Sequence, residues 1–439
     1  MTRIHLAAYG VFGFLWACNA TNTGNPSTPG SAPAGVELVR SSLERTSNPN
    51  ISADDRTMFG RDERQLSFDL YEQVKVGQTN VFISPYSIAV ALGMTYAGAE
   101  GETKSEMAQA LDFGLAEPTL HAAFNATDIA LQGRAHELAG DGGSTQKSSG
   151  DGLQLNVVNA AFGQKGLQFK SPFLDVLALN YGAGMFRADF VGHADRERMA
   201  INMWVEDQTR DRIKDLLPEG SIGPDVALVL VNAIYFKASW LTPFDVAATV
   251  QAPFHAPAAD VQVPMMHGPA EQYAKADGYQ ALELPYVSPA VRMLFILPDA
   301  GRFDAIEAGL DAAFFDRVRA SLTRYSVDLK LPRFSFDASA KLKPALQALG
   351  MKQAFDSGQA DLSGIAGNPG DLYIDEVYHK AFIALDERGT EAAAATAVVI
   401  REVSLPPPAE FVLDRPFIFV IYDEPTGQIL FVGRLLDPS

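Results

Sequence analysis

One stretch, Asp386 to Pro408, constrains this chain more than any other. It opens with small residues, turns β-branched and ends in a proline run, so no single regular element accommodates all of it. Glu391 to Ala395 has the propensity of a surface helix. The proline end suits a loop or a polyproline segment. The apolar part is about ten residues, too short to span a bilayer. Taken with a period of two, the same residues sort cleanly. Thr390, Ala392, Ala394, Thr396, Val398 and Ile400 share one face; Glu391, Ala393, Ala395, Ala397, Val399 and Arg401 share the other. All the charge falls on the second face, as a strand with one face on a core requires. Small residues at the leading end would let such a strand slip between two that are already paired. A segment fit for both an exposed loop and a buried strand is what a conformational trap needs.

The rest of the chain supplies both helices and strands. Arg64 to Val76 carries apolar residues at helical spacing, Ile88 to Ala97 has the pattern of a buried helix, and Glu102 to Leu111 that of a short capped one. Leu153 to Ala161 alternates as a strand does. Val226 to Phe236 is β-branched and nearly all apolar, which predicts a central strand buried on both faces. Arg292 to Leu297, Val327 to Leu331, Phe417 to Tyr422 and Ile429 to Val432 are further strand candidates. Helices come early and strands dominate late, so the class is α+β rather than regular βαβ winding. There is no internal repeat.

The N-terminus is of another character. Arg3 precedes an apolar run, Ile4 to Ala17, that is too short for a membrane span and has the pattern of a secretory signal. Leu15 to Cys18 resembles a bacterial lipobox, in which Cys18 is acylated, although Trp16 is bulky for that motif; an ordinary signal with an incidental cysteine is the alternative. Asn19 is not the aspartate that retains lipoproteins at the inner membrane, so an outer-membrane, cell-surface or secreted location is expected. The expected division is a signal over 1–18, a polar tether over 19–55 and one folded domain over 56–439, with the loop at 387–408. Ala139 to Gly152, rich in Gly, Ser and Asp, has the composition of a mobile surface loop.

Several function classes lose support. A formal net charge of −18 repels phosphate backbones, so nucleic acid is not an expected partner. Cys18 is the only cysteine, and the seven histidines show no metal-ligand spacing. No nucleophile elbow, zinc-protease helix, phosphate loop or dinucleotide fingerprint occurs. His379 stands in an apolar–polar alternation and reads as a hydrogen-bonded core residue rather than a catalyst. The chain is therefore not expected to be an enzyme or to carry a cofactor.

Six ordered motifs give the resemblance. Gly389, Thr390, Glu391, Ala392, Ala393, Ala394, Ala395 and Thr396 closely match the hinge of inhibitory serpins. Asn80 to Ile88 resembles the family's shutter segment. Leu230 to Trp240, followed by Pro243 and Phe244, resembles its central strand and breach tryptophan. Ala360 to Ile365, His379 to Ala381, and the pair Arg415 to Phe419 with Phe431 to Arg434 are similar to further family signatures. The resemblance covers about residues 60 to 439.

That resemblance implies a large central sheet, two smaller sheets, about eight or nine helices and an exposed reactive-centre loop. It implies a monomer that presents the loop as bait to a serine protease, or a cysteine protease, and traps the acyl-enzyme by inserting the cut loop into the sheet. By resemblance Trp240, Arg333 and Glu387 form the breach, and Ser84, Ser87, Asn232 and His379 the shutter. The family's usual count from Gly389 puts the scissile bond at Val403–Ser404; a shift of one would put Glu402 or Ser404 before the bond. Val403 suits a small apolar pocket, hence an elastase-like target, while Arg401 leaves a trypsin-like enzyme as a competitor. A non-inhibitory carrier or chaperone is the alternative, which Ala392 to Ala395 disfavour. Heparin-like activation is not suggested, because only Arg134 and Lys147 are firm cations near Asp128 to Gly152.

Overall fold

Helix starts follow local chemistry. In the computed structural model, which describes residues 32–134, 153–390 and 406–439, Ser52 caps the first helix by accepting a hydrogen bond from the Asp55 amide at 3.0 Å. Ser84 caps the second by accepting from the Ser87 amide, with Pro85 in the first turn. Among the described residues the helices are α1 (Ala53–Val74), α2 (Pro85–Tyr96), α3 (Gly101–Ala110), α4 (Glu117–Arg134), α5 (Ser171–Tyr181), α6 (Phe190–Gln208), α7 (Phe303–Ala308), α8 (Ala312–Ser321) and α9 (Lys343–Ala348).

The strands are β1 (Glu37–Val39), β2 (Val81–Ile83), β3 (Gln154–Gln164), β4 (Met185–Ala188), β5 (Leu228–Ser239), β6 (Val250–His255), β7 (Asp260–Ala276), β8 (Tyr279–Pro285), β9 (Val291–Pro298), β10 (Thr323–Pro332), β11 (Phe334–Lys341), β12 (Glu376–Asp386), β13 (Gly389–Thr390), β14 (Pro408–Val412), β15 (Phe417–Asp423) and β16 (Gln428–Leu435). They form two sheets. The central one, of seven strands and here called the large sheet for its long β3, β5 and β12, runs β1-β4-β3-β5-β13-β12-β11, and a nine-stranded one runs β14-β10-β7-β8-β9-β15-β16-β2 with β6 beside β7.

The central strand is β5, buried along nearly its whole length as expected. Its alternate residues serve different layers. Val229, Val231 and Ala233 pack with α6 on one face; Leu228 and Leu230 meet the helices, and Ile234, Phe236 and Ala238 the second sheet, on the other. Helix α2 lies in the interior with almost all its residues buried, as a helix without a polar stripe requires. The large sheet is therefore held between α6 in front and α2 plus the second sheet behind.

Two expectations change. The two further sheets expected form one hydrogen-bonded path, because β7 is long enough to pair with β6 at its start, with β10 along its middle and with β8 at its end. Its prolines and glycine hide it from strand patterns. The expected tether also shortens. Residues 32–52 lie on the domain: Val36 joins the core under α6, β1 extends the sheet beside β4, and Arg45 pairs with Asp128 at 2.7 Å and donates to Asn125 at 2.8 Å. The apolar side chains at 36–39 are what a free tether lacks. The signal, Cys18 and the surface loop at 139–152 fall outside the described residues.

Candidate functional site

Strands β5 and β12 are parallel neighbours, in register from Val229 opposite Glu376 to Tyr235 opposite Phe382. Above that point they part, and β13 stands between them. Gly389 faces Ser239 and Asp386, and Thr390 faces Ala238 and Leu385, antiparallel to both neighbours. The backbone makes a tight reversal from β12 into β13, with Asp386 accepting from the Arg388 and Gly389 amides at 2.8 and 3.3 Å. Gly389 has φ +148°, and a Cβ there would lie 2.1 Å from the Ala238 carbonyl oxygen. Only glycine makes this entry into the sheet.

The mouth of this wedge is built from side chains the sequence singled out. The Trp240 ring is buried, its amide donates to the Arg388 carbonyl at 2.8 Å and its indole N–H to the Asp386 carbonyl at 3.2 Å. Arg333 and Glu387 form a close ion pair. The Glu387 carboxylate is only 4% exposed. Burial alone would raise its pKa, but hydrogen bonds from Arg333 and Thr249, the latter at 2.7 Å, outweigh that and hold it below the usual carboxylate value.

Lower down, a polar row crosses three strands. Asn159 of β3, Asn232 of β5 and His379 of β12 are direct cross-strand partners. His379 Nε2 accepts from the Ser84 amide at 3.2 Å, so Nδ1 carries the proton and donates to Asn232 Oδ1 in a short hydrogen bond. Asn232 Nδ2 donates to Ser87 Oγ at 2.5 Å and, closely, to Asn159 Oδ1. Ser84, Ser87, Asn232 and His379 are all buried. Burial lowers the His379 pKa to about 3, so the ring is neutral at ordinary pH. The Asn232–His379 bond spans the seam between β5 and β12, and the α2 N-terminus bonds to both sides of it. A network of this kind resists opening of the seam until its bonds exchange.

The residues expected as breach and as shutter thus come together as two groups on one seam, the polar row at the middle of the β5–β12 pairing and the other group above its end. Glu391, Ala392, Ala393, Ala394, Ala395 and Thr396, with Val403 and Ser404, lie outside the described residues. Sequence reading missed Asn159, Thr249 and Tyr286. Nothing local marks them; topology alone brings them to the seam. Among the described residues no group of three or more His, Cys, Asp or Glu side chains could hold a metal ion, and no helix is long and apolar enough to cross a membrane.

Comparison with known proteins agrees with this geometry. The family model described as Serpin (serine protease inhibitor) matches residues 61–438. An uncharacterized serpin-like protein of Thermococcus kodakarensis is 38% identical over 378 residues, covering 85% of this chain and 84% of that protein. The leukocyte elastase inhibitor of Xenopus tropicalis is 34% identical over 384 residues, covering 85% of this chain and 97% of that protein. The crystal structure of the thermophilic serpin tengpin in its native state superposes with a TM-score of 0.78 at 26% identity, over 91% of this chain and 100% of that one.

Proposed function

This chain belongs to the serpin family, and on that footing we propose that it inhibits serine proteases by the loop-insertion trap. The observation that carries the proposal is the wedge. β13 already runs antiparallel between two parallel strands, and the chain leaving Thr390 is directed down the seam where β5 and β12 still pair. A protease that cuts the loop frees it to continue as a full strand. About ten new ladder hydrogen bonds at roughly 0.5–1.5 kcal/mol each give on the order of 5–15 kcal/mol. The uncut form is then held kinetically, with the shutter row as part of the barrier. The acyl-enzyme is carried along and distorted before water releases it.

The bait bond is Val403–Ser404 and the target has a narrow apolar pocket; the named inhibitor of leukocyte elastase among the relatives supports that choice. Cys18 is the acylated residue of an exported lipoprotein, which incorporation of labelled fatty acid, abolished by Cys18→Ser, tests. For the trap itself, the intact protein is incubated with elastase. A complex that survives SDS, shifting to trypsin in Val403→Arg, is the expected result. Clean cleavage with no complex would instead favour a carrier.

A further inference from the structure

Tyr286 lies just past β8 and is wholly buried. Its hydroxyl is 2.8 Å from Thr390 Oγ1, on the residue that leads into the proposed bait. The ring is fixed on every side. Trp240 stacks on it at 4.6 Å and 10°, Phe236 meets it edge-on at 5.2 Å, and Met293 Sδ is 3.4 Å from its hydroxyl. Its backbone is fixed too, by a bond from its amide to the Val291 carbonyl at 3.0 Å and a bridge to Trp240. Burial keeps the phenol protonated. The ring therefore cannot follow Thr390 outward. If the hinge left the sheet, the hydroxyl would remain in an apolar pocket, and its other partner among the described residues is the Met293 thioether, a weak acceptor.

We infer that Tyr286 is a positioning residue: its hydroxyl holds Thr390 inside the sheet of the uncut protein and so sets the register in which the remainder of the loop is added. This rests on the insertion mechanism proposed above. Strand pairing has a period of two, so a slip of one residue exchanges the faces. With Thr390 fixed toward the core, continuing the same pleat turns Ala392, Ala394, Thr396, Val398 and Ile400 inward and leaves Glu391 and Arg401 outward. A slip would bury both charges. The bond thus selects the one register in which the loop's chemistry fits, before any protease arrives.

The test uses the full-length uncut protein with Tyr286→Phe, Thr390→Val and Thr390→Ser. Hydrogen exchange by mass spectrometry is followed in the peptide spanning 386–390. Tyr286→Phe and Thr390→Val should raise the opening equilibrium about tenfold, equivalent to about 1.4 kcal/mol, and Thr390→Ser, which keeps the hydroxyl, should behave as the parent. Pancreatic elastase then reports the consequence: moles of inhibitor consumed per mole of enzyme trapped should rise at least about twofold in the first two variants and not in the third. Exchange unchanged in both Tyr286→Phe and Thr390→Val overturns the inference. Faster exchange with unchanged stoichiometry overturns the register-setting role. If the parent traps neither elastase nor trypsin, the inhibitory reading is what falls, and the exchange comparison still decides whether Tyr286 holds Thr390.

Discussion

Replacing Asn232 by alanine removes the centre of the polar row that ties β5 to β12. Three hydrogen bonds go: the one accepted from His379 Nδ1–H and the two donated to Ser87 Oγ and Asn159 Oδ1. Ser87 and Asn159 retain a mutual contact at 3.3 Å. The His379 N–H is left buried without an acceptor, which by itself costs about 1–3 kcal/mol. With the other lost bonds the total is about 2–4 kcal/mol. Over the span 61–438, an unfolding entropy of about 2.1 cal/mol/K per residue gives roughly 0.8 kcal/mol/K, so the apparent melting temperature should fall by about 3–5 °C. The informative comparison is with the loop-cleaved protein. On the proposed mechanism a new strand there separates β5 from β12, so the Asn232–His379 bond has no counterpart to lose, and the drop should be at most about half as large. Both forms are melted by intrinsic fluorescence near neutral pH at one scan rate, because the proposed mechanism has the uncut form held kinetically. An intact variant that melts within about 1 °C of the parent would refute the reasoning. So would a cleaved form that loses as much as the intact one.

Three other outcomes are expected. Burial lowers His379 to about 3 while an unfolded histidine titrates near 6.5, so the unfolded chain binds the extra proton between those values; stability is complete above about pH 6.5 and declines as pH falls, by up to about 1.4 kcal/mol per unit. Asp112, raised to about 6 by burial and by Asp69 and Asp62, acts in the opposite sense, its contribution being lost as pH rises through 6. His379→Asn removes only the first effect, and denaturant titrations at about pH 5 and 7 should show a flatter profile for it. Gly389→Ala puts a methyl group 2.1 Å from the Ala238 carbonyl oxygen; amide exchange at positions 389 and 390 should accelerate with little change in overall melting, since only β13 is displaced. Arg333→Met leaves the buried Glu387 carboxylate with Thr249 as its remaining side-chain donor, and because Arg333 is itself 43% exposed the loss in urea denaturation should be modest, about 1–2 kcal/mol.

How far the sequence reaches differs by element. β5 was legible because a strand buried on both faces has no polar alternation, and α1 to α3 because their apolar spacing is local, although α1 begins at Ala53 rather than Arg64 and the cap expected on α3 makes no side-chain hydrogen bond. β7 was not, since Pro264, Gly268 and Pro269 are tolerated there only through the pairing partners that tertiary structure provides. β1 was absorbed into a polar tether, although Val36 and Leu38 carry enough apolar surface to dock.

The site divides the same way. Gly389, Trp240 and His379 could be named from motifs, because each belongs to a short string of characteristic residues, and Glu387 from its match to the family's breach position. What those residues do to one another is a different matter. By itself the sequence determined the ingredients: a strand-like loop with one uncharged face, a glycine where the chain must enter a crowded sheet, and a histidine destined for the core. Only the tertiary structure decided that β5 and β12 lie side by side and parallel, that Asn159 and Tyr286 join the seam from distant strands, and that Thr390 stands inside the sheet before any cut is made. The physical reason is that side-chain hydrogen bonds require contact within a few ångströms, and contact between residues more than a hundred positions apart is a property of topology, which no local pattern encodes.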